Sequence, residues 1–260
     1  MWPDSAFSGT KKGVLHLWCA YPEDILREEN ARGCMALLSD DERARWQRFR
    51  VEHSRRQYLA THALARMALA HYSGIAAEEL RFTANRYGKP ALEPDCGVRF
   101  NLSNSTGLVV CLVAEGTAEV GVDVEPLARA DQITNVGHKA FSAAERAQME
   151  GLPSAEILDR GLSLWTLKEA YVKARGVGMS VPLGKISFLF EGDNAARLEL
   201  DASLQDDPGR WRFRVLDHAE HRIAVMAESA ADCELEIWEA RPPLAAPRSV
   251  HARVIVKSVN

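Results

Sequence analysis

An excess of basic residues is missing from this chain. Its 260 residues carry 32 Lys and Arg against 36 Asp and Glu, a net charge of -4. No global positive field draws it to nucleic acid, so any anion it holds must be held by local clusters. Paired cysteines are missing too. Cys19, Cys34, Cys96, Cys111 and Cys233 are odd in number and scattered, with no Cys-x-x-Cys. That excludes a disulfide framework and a zinc site, and suits the reduced thiols of a cytoplasmic protein. Also missing is an apolar run of bilayer length: Val109 to Ala114 is far too short. An earlier apolar stretch follows Lys11-Lys12 as a secretion signal would. His16 interrupts it and Tyr21-Pro-Glu-Asp24 follows, so it reads as a first strand, and no membrane partner is expected. What is present is 47% apolar and 26% charged, an ordinary globular balance long enough for one large domain or two small ones.

Taken in order, residues 1–12 read as a loose start and Val14 to Ala20 as a strand. Pro22 to Leu38 has helical spacing. Ser39-Asp-Asp-Glu42 is a capping box that opens a helix bearing Arg43, Arg45, Arg48 and Arg50. His53 to His71 predicts a second helix, with Leu59, Ala63, Met67 and Ala70 as its apolar stripe. Glu79 to Thr83 predicts a short strand, Arg86 to Pro90 a turn, and Val98 to Glu115 a hairpin closed around Asn104-Ser-Thr-Gly107. The pattern then restarts. Phe141-Ser-Ala-Ala-Glu145 repeats the cap, a helix runs from about Leu162 to Arg175 with Trp165 helping to anchor its first turn, and Lys185 to Glu191 is a strand. Trp211 to Glu228 then mirrors the first hairpin: Arg-Phe opens each, and Ala114-Glu115 and Ala227-Glu228 close them. The repeat is too long for a solenoid and predicts two similar halves. Residues 241–260, with Pro242-Pro243 and Pro247, read as a tail with little core of its own.

Two stretches carry chemistry. Val120, Val122 and Val124 alternate with Gly121, Asp123 and Glu125, so a strand there sends both carboxylates to one face. That is either a polar outer face or a crowded pair that a hard cation such as Mg²⁺ would neutralise. Glu169 and Lys173 stand one turn apart on the later helix, as an ordinary surface ion pair or as partners to those carboxylates. Arg45, Arg48, Arg50, Arg55 and Arg56 form a solvated basic face or a phosphate site. Lys89 is fixed in a Gly-Lys-Pro turn. Ser103 and Asn104, at the hairpin bend, offer short side chains and amides suited to an anion.

In these residues the chain resembles the 4′-phosphopantetheinyl transferases of the two-halved Sfp-like type. Gly121-Val-Asp-Val-Glu125 is similar to the family's G-[IV]-D-[IV]-E motif. Trp165-Thr-Leu-Lys-Glu-Ala170 with Lys173 is similar to W-x-x-K-E-[AS]-x-x-K. Tyr87-Gly-Lys-Pro90 and Phe100-Asn-Leu-Ser103 match two further motifs in order. The resemblance covers roughly Leu37 to Glu228. It implies an α+β fold of two similar α/β halves related by pseudo-twofold symmetry, with the site in the cleft between them. Residues 1–118 would form the first half, 119–240 the second and 241–260 the tail. It implies transfer of the 4′-phosphopantetheine arm of coenzyme A to a serine of an acyl or peptidyl carrier protein by a cytoplasmic monomer, releasing adenosine 3′,5′-bisphosphate. Asp123, Glu125 and Glu169 would hold Mg²⁺. Glu169 would also act as general base, directly or through water, and Lys173 would stabilise charge on the pyrophosphate. Lys89, Pro90, Ser103, Asn104, Arg45 and Arg55 would line the coenzyme A phosphates, and Glu145 would take a supporting role.

Two positions depart from the family pattern. Asn104 stands where the family usually has histidine, and it donates a hydrogen bond without carrying charge. Glu42 replaces a common basic residue, which leaves Arg43 or Arg45 for the 3′-phosphate. Asn104 keeps open a rival expectation, a non-catalytic relative that binds coenzyme A or a carrier without turnover. A different Mg²⁺-dependent phosphotransferase, drawing on ATP, ranks last.

Overall fold

The computed structural model describes residues 13–25, 28–115, 119–137, 139–229, 231–241 and 245–259. The loose start at 1–12 and Pro242-Pro243 fall outside them. The chain forms two compact units, and neither is continuous in sequence. The first comprises residues 1–86, 90–116 and 234–251. The second comprises 87–89, 117–233 and 252–260.

The first unit holds a five-stranded sheet, a small hairpin and three helices. The strands are β1 (Val14–Ala20), β4 (Val98–Ser105), β5 (Leu108–Glu115), β11 (Glu234–Arg241) and β12 (Ala245–Val250), in the order β12-β11-β1-β5-β4. The separate hairpin pairs β2 (Arg81–Ala84) with β3 (Pro90–Glu93). The helices are α1 (Glu28–Leu37), α2 (Asp40–Gln47) and α3 (Glu52–Ser73). The apolar stripe of α3 packs Leu59, Ala63, Leu64 and Met67 against Trp18, Val109, Cys111 and Val113 of the sheet. Gly74 ends the helix in the left-handed conformation that a glycine adopts without a Cβ penalty.

The second unit repeats the plan. Its strands are β6 (Val120–Pro126), β7 (Ile186–Phe190), β8 (Ala195–Leu200), β9 (Trp211–His218), β10 (His221–Glu228) and β13 (Arg253–Ser258), in the order β6-β10-β9-β13-β8-β7. Its helices are α4 (Ala130–Gly137), α5 (Ala143–Met149) and α6 (Ser154–Arg175). Leu164, Leu167, Ala170, Tyr171 and Ala174 of α6 pack against Phe188, Trp211, Phe213, Ala224 and Met226.

The structure corrects several expectations. The helix that carries Glu169 starts at Ser154, eight residues earlier than its apolar spacing indicated, so Trp165 lies in mid-helix and does not anchor a first turn. Residues 241–260 do not form a tail. Strand β12 pairs with β11, and β13 runs antiparallel to β9 and parallel to β8, with Val256 buried. Pro247 and small residues hid β12, whose stability comes from pairing with β11; β13, with Val254, Ile255 and Val256, has a strand-like local pattern that the nearby prolines obscured. The first hairpin turns at Thr106-Gly107, with Ser105 opposite Leu108, so Ser103 and Asn104 are strand residues on opposite faces. Ser103 is buried and Asn104 is exposed.

Candidate functional site

Strand β6 is buried on both faces, which excludes the polar outer face. Val120, Val122 and Val124 are at most 1% exposed, and Asp123 on the other side is buried as well. Helix α6 covers the carboxylate side, and Gly121 is what lets it approach. A Cβ at Gly121 would lie 2.1 Å from the Ala170 carbonyl oxygen and 2.5 Å from the Ala174 nitrogen, both backbone atoms of the helix. A glycine inside a strand marks such an approach of another backbone.

This contact brings the second half of α6 against Asp123. Lys173 Nζ donates to Asp123 Oδ1 at 2.7 Å. Glu125 accepts a hydrogen bond from the side chain of Trp165 and pairs with Arg129 at 2.8 Å. Burial, and then the charge of Asp123, push the Glu125 carboxyl above its ordinary range, against the opposing pull of Arg129 and Lys173. Burial also raises Glu169, again with Asp123 as the next cause, and with Glu125 adding to it while Lys173 opposes it. The three carboxylates and Lys173 therefore share one electrostatic neighbourhood.

Among the described residues, no group of three or more His, Cys, Asp or Glu is assembled as a ready metal cage. Each of the two strand carboxylates is instead turned to a cation of the protein itself, which relieves the repulsion between them. The donors nonetheless fit Mg²⁺. They are hard oxygens, those of Glu125 and Glu169 being held above their ordinary range by burial and by the charge of Asp123, and Mg²⁺ typically takes one or two carboxylates, with substrate phosphate and water supplying the rest.

Lys89, at the tip of the β2–β3 hairpin, belongs with the second unit. Its ammonium donates to the Ala174 carbonyl at 2.6 Å and the Val120 carbonyl at 3.2 Å, and pairs with Glu119. It thus sits at the C-terminal end of α6, where a cation is favoured, on the carbonyl of the residue that follows Lys173. The remaining expected contacts lie in the first unit. Arg45 lies over the Tyr58 ring at 5.9 Å and lines a groove of about 650 Å³ with Asp41, Ala44, Arg48 and Phe49. Arg55 stacks on Trp46 at 4.1 Å and faces Glu52 at 3.8 Å. Pro90 opens β3.

Sequence reasoning found both capping-box glutamates but missed their buried cationic partners, Lys168 and Arg66. Glu145 closes its capping box, accepts the Phe188 amide at 2.8 Å, and pairs at 2.7 Å with Lys168, both side chains being fully buried. Lys168 also donates to the Leu183 and Ile186 carbonyls. Burial lowers its pKa, and Glu145 works to keep it charged. The only sequence signal was a lysine on the wrong side of an apolar stripe. Glu42 does the same in the first unit, capping α2 while binding Arg66 at 2.8 Å and His62 at 3.0 Å. Burial opposes its ionisation, but the hydrogen bonds from His62, Arg66 and the Ser39 amide prevail and hold it down to about 2. Glu42 is thus a structural anchor and not a vacant phosphate contact.

Clustered carboxylates beside a lysine suit chemistry on phosphate esters. Comparison with known proteins shows the family to which the chain belongs. The family model described as 4′-phosphopantetheinyl transferase, N-terminal, matches residues 27–117, and that of the 4′-phosphopantetheinyl transferase superfamily matches 119–226. The 4′-phosphopantetheinyl transferase HetI of Nostoc sp. (strain PCC 7120) is 30% identical over 227 residues, covering 86% of this chain and 91% of that one. The 4′-phosphopantetheinyl transferase Sfp of Bacillus subtilis (strain 168) is 27% identical over 180 residues, covering 69% and 78%. Among solved structures, a Helicobacter pylori holo-[acyl-carrier-protein] synthase in complex with coenzyme A matches with 20% identity and a TM-score of 0.35, covering 42% of this chain and 99% of that one. The chain belongs to the 4′-phosphopantetheinyl transferase superfamily. No helix among its described residues is long and apolar enough to cross a membrane.

Proposed function

We propose that the protein moves the 4′-phosphopantetheine group of coenzyme A onto a serine hydroxyl of an acyl or peptidyl carrier protein, in the cytoplasm and as a monomer. The observation that carries this is the Asp123–Lys173 contact, made where Glu125 and Glu169 share the field of Asp123. The serine oxygen forms a bond to the phosphorus that bears the pantetheine arm. The bond from that phosphorus to the bridging oxygen breaks, and adenosine 3′,5′-bisphosphate leaves with the electron pair. Glu169 takes the serine proton, directly or through water; burial and the charge of Asp123 raise its pKa, which makes it a stronger proton acceptor than an exposed glutamate. Lys173 donates to the pyrophosphate oxygens on which charge gathers. Asp123, Glu125 and Glu169 would hold Mg²⁺, which supplies Lewis-acid polarisation of the pyrophosphate when bound. Lys89, Pro90, Ser103, Asn104, Arg45 and Arg55 are assigned to the coenzyme A phosphates. The free, scattered cysteines support the cytoplasmic assignment, and the presence of both halves in one chain supports the monomer.

Mass spectrometry of apo carrier proteins incubated with the protein, coenzyme A and Mg²⁺ tests the reading, which expects a gain of the arm's mass. Glu169→Gln should abolish the gain while leaving the thermal melt unchanged. Failure across acyl, polyketide and peptidyl carriers, or a fully active Glu169→Gln, would overturn it.

A further inference from the structure

Helix α6 is held by its apolar face, by Lys168 and by the close contact at Gly121, and a further hold lies closer to its first turns. It comes from the neighbouring strand. Arg222 of β10 stands directly opposite Glu125 of β6, on the same face of the sheet, with its side chain 3% exposed. All five of its guanidinium N–H donors are used. Nε donates to Asp217 Oδ1 at 2.7 Å and Nη2 to Asp217 Oδ2 at 3.3 Å. Nη2 also donates to Asp159 Oδ1 at 2.7 Å, and Nη1 to the Asp159 carbonyl at 3.0 Å and to Ser163 Oγ. Asp159 and Ser163 both belong to α6. Ser163 is two residues from Trp165, which reaches Glu125, and six from Glu169. At 1.5 Å of rise per residue, the bolt lies only about 3 Å and 9 Å along the axis from these two side chains.

We propose that Arg222 is a positioning residue of the transfer site. It touches no substrate, since every donor is already engaged. It fixes the height and rotation of α6 over β10, and thereby the hold of Trp165 on Glu125 and the place of Glu169. Without Arg222 the helix keeps the apolar packing of Leu164 and the buried residues after it, Lys168 and the contact at Ala170 and Ala174, all C-terminal to Ser163, and loses the polar hold at Asp159 and Ser163 that sets the entry to the Trp165 turn. The inference rests on the transfer reading above.

The test compares Arg222→Met and Arg222→Lys in the full chain. Arg222→Met should lower kcat for carrier modification about 100-fold, as expected for a displacement near 1 Å, with KM for coenzyme A changed less than about threefold. The assay temperature is set below each variant's melt. Arg222→Lys keeps the charge against Asp159 and Asp217 without the planar fork, and should recover about tenfold of the lost kcat. The readout independent of turnover is the Trp165 indole N–H resonance in ¹⁵N-labelled protein, assigned with Trp165→Phe. In Arg222→Met it should move to the position of an unbonded indole. A kcat loss that merely follows the folded fraction, no recovery in Arg222→Lys, or an unmoved Trp165 resonance would each overturn the positioning role. A wild type that modifies no carrier would instead overturn the transfer reading, and the inference with it.

Discussion

The close approach of α6 to β6 can be tested by adding one methyl group. In Gly121→Ala the new carbon would start 2.1 Å from the Ala170 oxygen, 2.5 Å from the Ala174 nitrogen and 2.8 Å from the Ala174 Cβ, against an ordinary contact of 3.4 Å. Two of the three obstacles are helix backbone and cannot rotate away, so the helix must move outward by about 1 Å. Overpacking of this kind costs about 1–3 kcal/mol. The larger consequence is geometric. Lys173 reaches Asp123 at 2.7 Å from the same stretch of helix, and that contact opens when the helix lifts. A misplacement of that size costs transfer about 100-fold. Gly184→Ala is the control, since a Cβ there meets nothing within 4 Å and its φ is unexceptional. Urea titration and carrier-modification kinetics, run on both variants, read the two effects separately. Wild-type kcat in a folded Gly121→Ala would refute the claim that the strand–helix separation sets the rate. Unchanged stability as well would refute the packing itself.

Three further outcomes follow from the same contacts. Lys168→Met leaves the Glu145 carboxylate buried without its cation and should cost about 3–5 kcal/mol in urea unfolding, with Glu145→Gln in the same chain restoring part of the loss. An unchanged midpoint would show the pair to be energetically idle. Trp165→Phe removes the hydrogen bond to Glu125 and should lower kcat with little change in the urea midpoint; a loss of stability alone would count against the assignment. Glu42 is depressed from 4.5 to about 2, so its stabilising contribution is complete above pH 4.5 and disappears as pH falls toward 2. The stability gap between wild type and Glu42→Gln should therefore approach 3 kcal/mol at neutral pH, on the order set by that shift, and close at low pH. A gap independent of pH would refute the role of the charge.

The sequence made the site legible where chemistry forces unusual residues together. Asp123 and Glu125 on one side of a strand, and Glu169 and Lys173 a turn apart, needed only the periods of strand and helix to be grouped. Both capping boxes were equally plain, because Ser39–Glu42 and Ser142–Glu145 are local. What stayed hidden depends on distant segments. Strand β12 has a weak pattern of its own, and the places of β11 and β13 are set by distant partners, β11 pairing with β1 more than a hundred residues away. Trp165 was misplaced because the first turns of α6, from Ser154 to Gly161, are polar enough to read as a loop. Lys168 was visible only as a member of the Trp165-Thr-Leu-Lys-Glu motif and Arg222 not at all, since nothing local marks a buried cation whose partners arrive from another helix or strand.

Why only the second unit carries the clustered carboxylates follows from laying the two units' elements side by side. The helices α3 and α6 have equal length, and each ends in a left-handed glycine, Gly74 or Gly176. Arg66 and Lys168 occupy the same place in them. Each pairs with a capping-box glutamate and donates to two carbonyls beyond the helix, those of Ala77 and Leu80 or of Leu183 and Ile186. Counting on from these cations, His71 falls where Lys173 stands and Tyr72 where Ala174 stands. The strands correspond as well: Ala114 faces Leu15 and Ala227 faces Val120, so His16 takes the place of Gly121 and Trp18 that of Asp123. The first unit has spent these positions on an interlocked group, with His16 and Trp18 both bonded to the Tyr72 hydroxyl and Trp18 stacked on Trp238 at 6.0 Å. The scaffold is shared because its buried ion pairs and caps are structural. The carboxylates are not shared, because a histidine, a tyrosine and a tryptophan fill the volume that glycine and alanine leave beneath the helix in the second unit.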